Sequence, residues 1–116
     1  MTSYKLDRIE SDVLKYLSNI ILTETRDELL KTVTLTEVKI SKDLGYAKVY
    51  FTSISDKTHE EMEYELKESA PFLRRELAKV IEIRNIPELH FIYDESIENI
   101  ERLENIISNI HKDSNE

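Results

Sequence analysis

The sequence predicts an α+β fold, an open sheet of three strands with helices stacked on one face. Three observations lead there. An apolar stripe of helical period opens the chain, two β-branched runs joined by its single glycine follow, and a further strand-like run lies between two later helical patterns. At 116 residues, with one Gly and two Pro, the chain has room for one domain, residues 1–116, with short connections.

Taken in order, Leu6, Ile9, Val13, Leu17 and Ile20 recur every three or four residues, and Leu14 and Ile21 widen the stripe, so an amphipathic helix is expected from Tyr4 to Leu22. Thr23 to Lys31 is polar apart from Leu29-Leu30 and reads as a connection or a frayed helix end. Thr32 to Ile40 is rich in Val, Ile and Thr, and Ala47, Val49 and Phe51 alternate with Tyr46, Lys48, Tyr50 and Thr52, which gives two strands. Ser41 to Gly45 joins them, and Gly45 is the expected site of a positive φ in an antiparallel hairpin. That hairpin would bring Lys39, Lys42 and Lys48 near one another.

Thr58 and Glu61 have capping-box spacing, so a second helix starts there. Its stripe of Met62, Leu66 and Ala70 is read as out of phase with Phe72, Leu73, Leu77 and Val80. Pro71 lies between them and lacks an N–H, so a break is expected at Ser69-Ala70-Pro71, with a third helix from Pro71 to Ile81. Leu89 to Tyr93, behind Pro87, has strand character. Asp94 and Ser96 would cap a last helix carrying Ile97, Ile100, Leu103, Ile106, Ile107 and Ile110, and residues 111–116 read as a frayed tail.

The composition narrows the function. There is no cysteine, hence no disulfide framework or thiolate metal site, and no apolar run of signal or membrane-spanning length, so a cytoplasmic protein without a membrane partner is expected. His59, His90 and His111 lie in different elements without ligand spacing, and one glycine cannot build a phosphate loop; neither a catalytic constellation nor a cofactor site is read from the chain. The net charge of −8 argues against a nucleic-acid binder working by bulk attraction. The sign is uneven, however: residues 56–68 and the segment from Asp94 are acidic, whereas 39–48 and 74–84 are locally basic. The pair Arg74-Arg75 beside small Ser69 and Ala70 is the candidate binding feature, since guanidinium groups grip phosphates and small residues allow close approach.

Three blocks carry a family resemblance: Arg84-Asn85-Ile86-Pro87-Glu88-Leu89-His90-Phe91-Ile92-Tyr93-Asp94-Glu95-Ser96, Val33 to Val38 running into Ser41 to Tyr50, and Ala70-x-Phe72-Leu73-Arg74-Arg75-Glu76-Leu77. With these the chain resembles the ribosome-binding factor A family over nearly its whole length. The resemblance implies a KH-like, type II-like domain, α-β-β-α-kink-α-β with an added C-terminal helix, in which a helix-kink-helix replaces the usual glycine-rich RNA loop. Ala70 is the kink residue, and Pro71 stands where the family usually has Gly, which implies a stiffer kink. Where members often read Asp-Pro-Arg, this chain has Asp27-Glu28-Leu29.

The implied role is that of a non-enzymatic, monomeric assembly factor. It would bind the immature small ribosomal subunit and its ribosomal RNA near the head-body junction and assist 5′-end processing and late maturation, especially in the cold. Ribosomal proteins or other assembly factors are further implied partners. The RNA-binding residues expected are Arg74, Arg75, Arg84, Lys39, Lys42 and Lys48, with Ser69 and Ala70 at the kink and Arg8 on the first helix. The alternative from a different class is a protein-interaction module that docks through its C-terminal helix without RNA.

Overall fold

The structure is a computed structural model that describes the backbone of residues 2–96 and the side chains of residues 5–96. Helix α1 (Thr2–Thr23) leads through a short 3-10 turn (Leu30–Thr32) into strands β1 (Val33–Ile40) and β2 (Tyr46–Ser53). Helix α2 (His59–Val80) follows, and then strand β3 (Glu88–Tyr93). The sheet order is β1-β2-β3, with β1 antiparallel to β2 and β3 parallel to it. The parallel pairing follows from the crossover through α2. The expected C-terminal helix lies outside the described residues.

One face of the sheet carries Val33, Leu35, Val38, Ile40, Ala47, Val49, Phe51, Leu89 and Phe91, all buried against α1 and α2. Val13, Leu17, Ile20 and Ile21 close this core from α1, and Met62, Leu66, Leu73 and Leu77 close it from α2. Each fully buried aliphatic side chain contributes roughly 1.5–3 kcal/mol relative to exposure. β1 would expose half its apolar residues if its alternation ran unbroken, because Val33 and Leu35 are odd-numbered while Val38 and Ile40 are even. A β-bulge between Leu35 and Glu37 resolves the conflict. Thr36 is the extra residue, and the parity change turns all four apolar side chains inward.

The expected break at Pro71 is replaced by an unbroken helix. α2 runs its full 22 residues with Pro71 inside, so no separate third helix starts there. The physical reason is phase. Met62, Leu66, Leu73 and Leu77 are spaced by four, seven and four, and two helical turns take about seven residues, so they form one stripe. Ala70 and Phe72 flank that stripe half-buried, and Pro71 points to solvent, where its ring displaces no core packing. The Thr58 side chain caps α2 as expected, accepting from the Glu61 N–H at 3.1 Å.

The hairpin also departs in one detail. The positive φ falls on Leu44, at 60°, and not on Gly45. Gly45 is used for space: a Cβ there would lie 3.3 Å from Asp43 Oδ1, the atom that accepts the Gly45 N–H at 3.0 Å. The Ser41 hydroxyl also donates to Asp43, and these two bonds, the hydroxyl first, hold the Asp43 carboxyl below its ordinary pKa.

Candidate nucleic-acid interface

Three hydrogen bonds gather distant basic segments at one end of the domain. Glu10 of α1 accepts the Ile40 N–H at 2.7 Å, which sets the early turns of α1 beside the hairpin. The Glu88 N–H donates to the Gly45 carbonyl at 3.0 Å, joining the start of β3 to the hairpin turn. Arg74 Nη2 donates to the Ile86 carbonyl at 2.7 Å, pinning the loop after α2 to the helix. These bonds bring toward one end of the domain, the pole, the segments that carry Arg8, Lys39, Lys42, Lys48, Arg74, Arg75 and Arg84, with Lys39 and Lys48 on the open sheet face and Arg74 and Arg75 on α2. Arg8 sits in a shallow groove with Val80 and Glu82, on its α1 side.

Within the pole the cations differ in availability. Lys39 lies 3.3 Å from Glu37, and Glu37, then Glu10 and Asp7, hold its ammonium above the ordinary lysine pKa. Lys79 pairs with Glu76 at 3.1 Å. Arg74 is partly spent on Ile86, so it positions the loop as well as presenting charge. Among the described residues, Arg8, Lys42, Lys48, Arg75 and Arg84 are exposed and make no ion pair. They keep their donors available for an outside anion.

On the open face of the sheet Lys39, Lys48 and His90 stand in one transverse row, since Lys39 pairs with Lys48 and Lys48 with His90. His90 stacks on Tyr46 at 4.0 Å between ring centroids. Its Nε2 lies 3.2 Å from Glu88 Oε1 without hydrogen-bond geometry. A half-exposed aromatic pair beside two lysines was not singled out by the sequence reading. The signal was present, as Tyr46, Lys48 and His90 all fall on the polar parity of their strands.

Ser69 and Ala70 lie farther along α2, both half-buried. Ala70 and Pro71 line a groove of about 800 Å³ between α2 and the outer edge of β3, together with Arg74. The structure thus separates the expected site: Ala70 and Arg74 border the groove, Ser69 is not in its lining, and the other expected cations lie on segments toward the pole. Among the described residues no cluster of His, Asp and Glu is placed to hold a metal ion, and no helix is long and apolar enough to cross a membrane.

A sheet of one antiparallel and one parallel pair, packed on one face by α1 and α2 and bordered by an α2–β3 groove, defines a KH-like α+β domain. Solved structures agree. A crystal structure of ribosome-binding factor A from Thermus thermophilus matches with a TM-score of 0.71 at 23% identity, over 78% of this chain and 97% of that one. A solution structure from Thermotoga maritima, described as a ribosome binding factor A, matches with a TM-score of 0.68 at 32% identity, over 83% and 92%. The family model of ribosome-binding factor A matches residues 5–107. The ribosome-binding factor A of Dechloromonas aromatica is 45% identical over 92 residues, covering 79% of this chain and 75% of that relative. That of Xanthomonas euvesicatoria is 36% identical over 107 residues, covering 92% and 82%. The chain belongs to the ribosome-binding factor A family.

Proposed function

We propose that this chain is a non-enzymatic, cytoplasmic assembly factor that binds the immature small ribosomal subunit and touches its ribosomal RNA through the basic pole. On this reading it acts near the head-body junction and assists 5′-end processing and late maturation, with greatest importance in the cold. The observation that carries the reading is the collection of Arg8, Lys42, Lys48, Arg75 and Arg84, exposed and unpaired among the described residues, at one end of an otherwise acidic molecule. Such a face suits a folded RNA surface, where a few phosphate contacts fix position without bulk attraction. Family membership supports it, as do coordinates of a Thermus thermophilus ribosome-binding factor A fitted into a map of its 30S complex.

Co-sedimentation with immature small subunits tests the function, and the whole chain should pellet with them. Arg75→Glu with Arg84→Glu should release it, with an unchanged melting curve. These two are preferred to Arg74, whose loss would also free the Ile86 loop. Undiminished pelleting of the double variant rejects this face, and failure of the unaltered chain to pellet rejects the function.

A further inference from the structure

We infer that the groove between α2 and β3 is a docking site for an extended basic peptide, which adds as a fourth strand to the edge of β3. Among the described residues this edge is open by register. The Glu88 and Asp94 N–H groups donate to carbonyls on the β2 side, Gly45 at 3.0 Å and Phe51 at 2.7 Å. Successive N–H groups along a strand point to opposite sides, so those of Leu89, Phe91 and Tyr93 face the groove. Tyr93 shows what this edge accepts: its N–H donates to the Glu63 carboxylate of α2 at 3.0 Å. Leu89 and Phe91 present the same backbone donors further along the groove, where a partner strand supplies carbonyls at the ordinary strand spacing.

The charge of the walls selects the partner. Glu60 and Glu63 on α2 and Glu88 on β3 line the groove, against Lys67 and an Arg74 already turned onto the Ile86 carbonyl. A polyphosphate backbone would lie along carboxylates, whereas lysine or arginine side chains of a peptide would meet them. Two of the domain's large exposed apolar side chains, Tyr64 at 60% and Tyr46 at 38%, also border this groove. They would cover the alkyl stems of such side chains and face their cations. A second copy of this chain fits poorly, because pairing two β3 edges would set these carboxylates against themselves. The inference stands on the groove and not on the RNA-contacting pole, so either can fail alone.

The test uses the full chain, isotope-labelled for amide spectra, and a blocked peptide of about eight residues alternating Lys and Val, a typical strand length. Saturable binding should shift the Leu89 and Phe91 amides, and Glu60→Lys with Glu88→Lys should weaken it roughly tenfold or more. Lys67→Glu, in the same wall, should strengthen it, which keeps the test decisive if the double variant folds badly. An analogue N-methylated on alternate residues should not bind. The inference is overturned if the methylated peptide binds equally well, if Leu89 and Phe91 stay unmoved, or if oligouridylate shifts those amides instead. Protection of the same amides in a self-associated form of the free chain would overturn it too.

Discussion

At the level of single residues, the hairpin concentrates its backbone strain on Leu44. Leu44 holds a φ of 60°, a left-handed conformation that disfavours a branched side chain, while its side chain packs half-buried against the core. Packing and strain therefore oppose each other at one position. Both Leu44→Gly and Leu44→Ala lose the packing, but only Gly relieves the backbone. Leu44→Gly should be more stable than Leu44→Ala by about 1 kcal/mol in urea unfolding, and the reverse order would refute the strain. Gly45, by contrast, is needed for the space under the Asp43 carboxylate, which composition alone does not reveal.

Asp94 is the second residue whose role widened. Its place two residues before Ser96 predicts a helix cap, and it accepts the Ser96 N–H at 2.9 Å. It also accepts from Thr36 Oγ1 at 2.6 Å, fastening the bulge of β1 to the end of β3 on the far side of the central strand. The Ser96 hydroxyl, then Thr36 and the Ser96 N–H, hold its carboxyl below the ordinary range. A depressed folded pKa means stability that is present above the unfolded value and lost as pH falls through the folded one. Asp94→Asn should cost about 1 kcal/mol at neutral pH, and the difference should shrink below about pH 4, the unfolded aspartate value. An unchanging difference down to about pH 2.5 would remove Asp94 from the acid sensitivity.

At the scale of elements, α2 shows how far tertiary packing overrides a local signal. Pro71 costs an interior helix its N–H bond to Lys67 and crowds that turn, roughly 3 kcal/mol against Ala in an isolated helix. The helix continues because Met62 and Leu66 before it and Leu73 and Leu77 after it are anchored in one core. Pro71→Ala should then stabilise the domain, by about 1–3 kcal/mol in thermal or urea unfolding, since the ring is exposed at the groove wall and outside the core. Destabilisation would mean that the prolyl ring has a packing role. The bulge in β1 is the complementary case. Its signal was in the sequence, as the change of parity between Leu35 and Val38, but Thr36-Glu37 reads as ordinary strand until register is known.

At the scale of the whole molecule, charge is sorted along α2. Glu60 and Glu61 occupy its first turn and Lys79 its last, the arrangement favoured by the helix dipole, and Arg74 and Arg75 extend the basic half. The basic half meets the hairpin and the start of α1 at the pole, while the acidic half walls the groove. With a net charge of −8, the exposed cations at this end stand among carboxylates, Glu37, Asp43, Glu82 and Glu88. Small-subunit binding should weaken with salt along a shallow log-log line, and each phosphate-contacting cation removed should flatten it by about 0.7–0.9. An unchanged slope in Arg75→Glu with Arg84→Glu would place RNA contact elsewhere.

The chain carries locally the signals for α1, the three strands, the antiparallel hairpin, the apolar faces of α1, β2 and β3, and the family. Each of these rests on periodicity or on blocks of neighbouring residues, which the chain carries locally. Only the tertiary structure decided that α2 is one helix, that Leu44 bears the positive φ, and that the expected RNA-binding residues divide between a pole and a groove. Those outcomes depend on contacts between segments far apart in the chain: Met62, Leu66, Leu73 and Leu77 share one core with α1 and the sheet, Leu44 packs against that core, and Glu10 with Ile40 and Gly45 with Glu88 set the pole. Packing energy gathered across such contacts outweighs the backbone preference of any one residue.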